Sequence, residues 1–211
     1  MNSVGLPTLQ GYGLTETSPV VSCNPIHKIK VETVGPPFKG NEVKIAEDGE
    51  ILVKGENVML GYWNKKEETE KVIINGWLHT GDIGEIDPND GYLKITDRKK
   101  DIIVNLGGDN ISPSKVENIL CLNENIKQCF VYGDKKNYLV ALIVSEKEIN
   151  KEKIKLIIEN INKSLTLIEK IKKFVLIHEE FTIENGMLTP TLKLKRKEII
   201  KKYKQQLENL Y

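Results

Sequence analysis

"ITDRKKDIIVNLGGDNISPSKVE", residues 95–117, is the stretch across which the chain changes character. Upstream of it, short alternating runs are broken by turn signals; downstream, strands and helices take turns. A basic triplet, Arg98-Lys99-Lys100, stands at the join, followed by the apolar run Ile102-Ile103-Val104 and a turn at Gly107-Gly108. Ser112-Pro113 then opens a helix: the serine can cap free N–H groups, proline fits the first helical position, and Val116, Ile119 and Leu120 share one face. The expected fold class is α+β, with a boundary near residues 97 to 100.

Upstream, "NEVKIAEDGEILVKG" alternates Val43 and Ile45, then Ile51 and Val53, around an Asp48-Gly49 turn, the signature of a hairpin. "GEIDPNDGYLKITDR" repeats the device, with Asp87 to Gly91 as loop and Tyr92, Leu93 and Ile95 in the returning strand. Downstream, "CFVYG", "NYLVALIVS" and "KFVLIH" are rich in β-branched and aromatic residues and read as strands. Ile154, Ile157, Ile158, Ile161 and Leu165 form one helical stripe, and Ile199, Ile200, Tyr203, Leu207 and Leu210 form another.

Composition narrows the function classes. With 31 basic against 30 acidic residues in 211, the net charge is +1, so no global field steers the chain onto nucleic acid. Cys23, Cys121 and Cys129 are odd in number and never spaced C-x-x-C; each reads as a buried structural cysteine, not as a disulfide or zinc ligand. The N-terminus, MNSVGLPTLQ, lacks a basic and an apolar leader region, and no apolar run approaches the ~20 residues of a membrane span. A cytoplasmic protein is expected. The C-terminal helix sets Lys and Arg opposite its stripe, which reads as a solvated face over a packed one, with peripheral membrane contact as the alternative.

Four clusters could carry chemistry. "LQGYGLTET", residues 9–17, has the G-x-G of a dinucleotide fingerprint, but Glu16 replaces the third glycine and no βαβ context surrounds it. What remains is a flat Tyr12 face, a Thr15 hydroxyl and a hard Glu16 oxygen suited to Mg²⁺. "GWLHTGDIGEID" puts Asp82 directly after a glycine, where a carboxylate could accept two sugar hydroxyls. Arg98, Lys99 and Lys100 gather at the boundary, and in "NGMLTPTLKLKRKEI" Thr189-Pro190-Thr191 forms a stiff loop presenting Lys193, with Lys195 and Arg196 beyond. Taken singly, the first two clusters also read as ordinary turns and the third as a solvated face. No Ser-His-Asp set is visible, and His79 reads as scaffold.

Together and in this order, "YGLTET", "GEILVKGENVMLGYW", "GWLHTGDIGEID" and "ITDRKKDIIVNLGGDNISPSKVE" resemble the core motifs of the adenylate-forming superfamily of acyl-CoA synthetases, luciferases and peptide-synthetase adenylation domains. "DRKKDIIV" and "LTPTLKLKR" look nearest to the long-chain fatty acyl-CoA synthetase branch. The resemblance implies that residues 1–97 are the β-rich end of a large ATP-binding domain and 98–211 a small, mobile α+β C-terminal domain. It further implies that Tyr12 stacks on adenine, Thr15 contacts phosphate, Glu16 binds Mg²⁺, Asp82 holds the ribose hydroxyls and Arg98 contacts the nucleotide. Lys100 would be the hinge, Gly107 and Gly108 would approach the pantetheine arm of CoA, and Lys193 would serve adenylation. The family pattern has glycine before that lysine where this chain has Leu192, which makes Lys195 the fallback.

The implied reaction couples ATP, a fatty acid and CoA through an acyl-AMP. The family's upstream phosphate loop and acyl pocket have no counterpart in these residues. The resemblance therefore implies a C-terminal portion, inactive alone, whose first ~97 residues expose apolar surface to a missing N-terminal portion. The rival readings are another acyl- or aryl-CoA ligase, a non-catalytic binding module, or a subunit of a split enzyme.

Overall fold

The computed structural model describes residues 5, 8–145 and 149–211. The N-terminal stretch read as lacking a leader lies largely outside them. The chain forms two compact units, Met1–Lys100 and Asp101–Tyr211, within the expected α+β class.

In the first unit, β1 (Gly11–Gly13) pairs antiparallel with β2 (Val20–Cys23). A five-stranded sheet follows, built from β3 (Asn41–Ile45), β4 (Glu50–Gly55), β5 (Ile73–Ile74), β6 (Trp77–Ile86) and β7 (Leu93–Arg98), with a short helix α1 (Lys66–Val72) before β5. The Asp48-Gly49 hairpin forms as expected: Val43 faces Val53, Ile45 faces Ile51, and Asp48 Oδ1 accepts the Glu50 N–H at 3.1 Å. The second hairpin also forms, Ile86 facing Leu93, with Tyr92 just ahead of the returning strand. Val21, Ile51, Val53 and Leu93 close the core under Tyr12, Val43 and Ile95. Ile26, Val31, Phe38, Leu60 and Trp63 remain exposed in this unit.

The second unit opens with a two-stranded ladder, β8 (Ile103–Val104) against β9 (Asn110–Ile111), so only the end of the Ile102–Val104 run is strand. Helix α2 (Pro113–Cys121) starts where the sequence indicates, and Ser112 Oγ accepts the Lys115 N–H at 3.2 Å. β10 (Ile126–Tyr132) pairs antiparallel with β11 (Leu139–Ser145), and β11 pairs parallel with β12 (Ile171–Ile177), the crossover carrying helix α3 (Lys151–Ile161). Period-two alternation divides the sheet's faces. Cys129, Val131, Ala141 and Ile143 pack with Val116, Leu120, Ile154 and Ile158 on one side. Phe130, Val140, Leu142 and Val144 pack with Ile199, Tyr203 and Leu207 of α4 (Arg196–Glu208) on the other. Central strand β11 is covered on both faces, hence its unbroken apolar run.

Two expectations need correction. Leu165 and Leu210 lie beyond the ends of α3 and α4, although both still join the cores their stripes build. Cys129 alone is buried, whereas Cys23 is half-buried and Cys121, at the last turn of α2, is exposed. The apolar stripe of α4 is packed inside the unit, as the reading of a solvated face over a packed stripe expects. Among the described residues no helix is long and apolar enough to cross one.

Candidate active site

The site is built on an irregularity between β4 and β6. Leu52 faces His79 and Glu50 faces Ile83, so a two-residue step on β4 is matched by four residues on β6. The extra residues form a bulge, and Gly81 within it takes a left-handed backbone with φ of 70°. Thr80 pins the bulge from within: its hydroxyl donates to the Ile51 carbonyl at 2.7 Å and accepts the Asp82 N–H at 3.1 Å. Glu50 Oε1 accepts the Gly81 N–H at 2.9 Å.

Asp82 is thereby turned inward, 4% exposed. Its Oδ2 accepts the Tyr12 hydroxyl at 2.8 Å, and Arg98, its register partner on β7, brings Nε within 3.2 Å of Oδ1. Tyr12 reaches Asp82 from β1, where Gly13 permits the close approach of the return chain: a Cβ there would lie 1.8 Å from the Pro19 carbonyl oxygen. Burial above all, and then Asp82, push the Tyr12 phenol well above the usual tyrosine value, against the opposing influence of the Thr80 hydroxyl and Arg98.

Thr15, Glu16 and Thr17 form a single tight turn after β1. Thr17 is the buried, structural member, its hydroxyl donating to the Pro19 carbonyl at 2.7 Å. Thr15 is exposed. Glu16 Oε1 accepts the Tyr62 hydroxyl at 2.8 Å, and the Glu16 carbonyl accepts the Met59 N–H at 2.8 Å. The "LQGYGLTET" and "MLGYW" segments are thus tied together beside an open cleft of about 530 Å³ lined by Leu14, Glu16, Glu50, Tyr62, His79 and Thr80. Glu16 is a hard oxygen donor at the cleft, suited to supply one of the few protein ligands that Mg²⁺ takes beside phosphates and water. Among the described residues no group of three His, Cys, Asp or Glu side chains gathers to hold a metal by itself.

The structure brings Tyr12, Asp82 and Arg98 into contact and sets Thr15 and Glu16 on the turn that follows Tyr12. Lys100 is exposed and lies in a turn at the end of the first unit. The remaining expected residues belong to the second unit. Gly107 and Gly108 are exposed in the turn between β8 and β9, which Asn105 and Asp109 brace through two hydrogen bonds of 2.9 Å. Lys193 is exposed at the end of a tight loop, its N–H donating to Thr189 Oγ1 at 3.1 Å and its carbonyl accepting the Thr189 N–H at 2.8 Å. Leu192 sits there at φ of 60°, the left-handed conformation for which glycine is the cheapest residue. The glycine usual before this lysine therefore has a backbone reason, and Leu192 adopts the same conformation at a steric cost.

Sequence reading missed Glu50, Thr80 and Tyr62. Glu50 carried a signal, being a carboxylate at the head of the apolar run Ile51-Leu52-Val53. Thr80 and Tyr62 carried none.

Two family models match the chain. The model described as AMP-binding enzyme matches residues 2–63, and that described as AMP-binding enzyme C-terminal domain matches residues 100–211. The chain belongs to the AMP-binding enzyme family. It is 37% identical to the long-chain-fatty-acid–CoA ligase FadD15 of Mycobacterium bovis over 98% of this chain and 38% of that protein. To long-chain-fatty-acid–CoA ligase 5 of Rattus norvegicus it is 35% identical, over 99% of this chain and 36% of the relative. Among solved structures, O-succinylbenzoate coenzyme A synthetase (MenE) of Bacillus subtilis in complex with AMP superposes with a TM-score of 0.76 at 30% identity, over 94% of this chain and 42% of that one. The same synthetase with ATP and a magnesium ion gives 0.74 at 30% identity, over 93% and 42%. The chain thus spans well under half the length of these relatives.

Proposed function

We propose that this chain is the C-terminal portion of a long-chain fatty acid–CoA ligase, which joins a fatty acid to CoA through an acyl-AMP. The observation that carries the reading is the buried Asp82 carboxylate between Tyr12 and Arg98, with Glu16 on the same loop. Two ribose hydroxyls can donate to the acceptor capacity left on Asp82, Tyr12 offers an aromatic face to adenine, and Arg98 opposes phosphate charge. Thr15 adds a hydroxyl to the phosphates. Glu16 would hold Mg²⁺, which when bound would supply neutralisation of phosphate charge. The carboxylate of the fatty acid attacks the α-phosphorus of ATP, and pyrophosphate leaves.

In this reading the exposed Lys193 stabilises negative charge developing in the adenylation step. The C-terminal domain then turns about Lys100, whose backbone absorbs the change, and brings Gly107 and Gly108 against the pantetheine arm. The CoA thiol attacks the acyl carbonyl carbon, AMP leaves, and a thioester remains. Identities of 35–37% to long-chain fatty acid ligases support a fatty acid as the acid substrate. The phosphate loop and acyl pocket belong to sequence beyond these residues, so the chain alone is inactive, and the apolar surface of its first unit meets that portion.

The test is to fuse the chain to the upstream part of a long-chain ligase and measure acyl-CoA formation from ATP, palmitate and CoA. Activity that disappears on Asp82→Ala supports the reading. Activity indifferent to that change, or AMP release by the 211-residue chain alone with ATP and palmitate, overturns it.

A further inference from the structure

Glu50 is 4% exposed, and a carboxylate is buried at considerable cost unless donors replace its water. Three do. Oε1 accepts the Gly81 N–H at 2.9 Å; Oε2 faces His79 Nδ1 at 2.9 Å and Lys99 Nζ at 2.9 Å. Lys99 also reaches Asp48, next to the Gly49 turn from which β4 departs. The donors are not scattered. His79 and Gly81 flank Thr80 in the bulge that turns Asp82 inward, and Lys99 directly follows Arg98, the other partner of that carboxylate.

We infer that Glu50 is a positioning residue: its carboxylate clamps the Gly81–Asp82 bulge of β6 to the end of β7, and so fixes the Asp82–Arg98 pair without touching the nucleotide. Its oxygens divide the work. Oε1 fixes the backbone before Asp82, and Oε2 holds the segment carrying Arg98. Burial opposes its charge, yet Lys99, His79 and the Gly81 N–H together hold the Glu50 carboxyl below its usual range, so the clamp is closed at neutral pH. A carboxylate serving stability alone would affect the whole unit; this one acts on a bulge of β6 and the end of β7. The consequence for nucleotide rests on the function proposed above; the geometric claim does not.

The test uses the ¹⁵N-labelled 211-residue chain with ¹³C-labelled tyrosine rings. In Glu50→Ala, hydrogen exchange of the Gly81 amide is expected to rise about tenfold or more, while Ile51, Val53 and Leu93 keep their protection. The Tyr12 phenol should ionise at lower pH than in the wild type. Glu50→Gln keeps an acceptor for Gly81 and should restore the protection of that amide, although its amide nitrogen cannot hold Lys99. Unchanged Gly81 and Tyr12 in Glu50→Ala, or a Gly81 amide as unprotected in Glu50→Gln as in Glu50→Ala, would overturn the inference. Should Glu50→Ala lose the core amides too, Lys99→Met decides: Gly81 should stay protected while Arg98 Nε–H exchange rises, and an unchanged Arg98 defeats the clamp. AMP titration separates the two claims. If Asp82→Ala leaves AMP affinity unaltered, the nucleotide reading fails and Glu50 is judged on exchange alone. If Asp82→Ala weakens AMP about tenfold and Glu50→Ala does not, the positioning role fails.

Discussion

The Tyr12 hydroxyl donates to Asp82 Oδ2 at 2.8 Å although 70 positions separate the two residues in the chain. This bond closes the first unit's β1 segment over the end of its main sheet. Because the acceptor is a buried carboxylate, Tyr12→Phe is expected to destabilise that unit by about 1.5 kcal/mol, read as a lowered urea midpoint at pH 7. An unchanged midpoint would mean that Asp82 finds an equivalent donor in water or Arg98.

Leu192 at φ of 60° gives a prediction of opposite sign. A left-handed leucine costs about 1–2 kcal/mol, and the extra unfolded-state freedom of glycine takes back about 0.5–1 kcal/mol. Leu192→Gly should therefore be neutral to stabilising by about 1 kcal/mol. Leu192→Val, with a β-branched side chain in the same conformation, should destabilise. Thermal unfolding of the two variants against wild type checks the order.

Alkaline pH should weaken the second unit. Burial, then Glu208, pushes the Tyr132 phenol up to about 12, and burial, then Glu179, pushes Tyr203 up to about 12. The folded state favours the protonated phenols, so their contribution is fully present below the ordinary value of 10.0 and is lost as pH rises from 10.0 through about 12. Urea midpoints between pH 8.5 and 11.5 should fall. A Tyr203→Phe variant should fall less steeply.

Cys121 and Cys129 lie with their sulfurs 3.5 Å apart, one exposed and the other buried. Diamide should take up the two electrons and two protons and leave an intramolecular disulfide, which Cys121→Ser prevents. The bridged chain should gain about 2 kcal/mol of stability if the bond forms unstrained. Thiol counting before and after treatment, with a melting curve, measures both effects.

In a ligase completed by the upstream part of a relative, Lys193→Ala should slow acyl-AMP formation by ~10²- to 10³-fold, the loss typical of one preorganised charge stabiliser. Thioester formation from supplied acyl-AMP should be nearly unaffected. If Lys195→Ala gives this pattern instead, the role belongs to the neighbouring lysine.

Both hairpins of the first unit and the main strands and helices of the second were legible because each rests on local periodicity and turn chemistry, whereas the short β2, α1, β5 and β9 carry too few residues to show a period. Helix ends were read less well: Leu165 and Leu210 continue a helical spacing past the residues that keep helical backbone. The burial of Cys121 was misread because residue type predicts burial only on average, while its position at the end of α2 leaves it facing water.

By itself the sequence determined the α+β class, the order of the main strands and helices of the second unit and, through four ordered motifs, the family. It also singled out Tyr12, Asp82 and Arg98, because motif residues keep their order along a chain. Only the tertiary structure decided that these three touch, that Tyr62 ties down Glu16, and that Glu50 and Thr80 hold the bulge beneath Asp82. The physical reason is register. Whether β6 carries two extra residues against β4 depends on how distant segments hydrogen-bond across the sheet, and no periodicity within either strand encodes it.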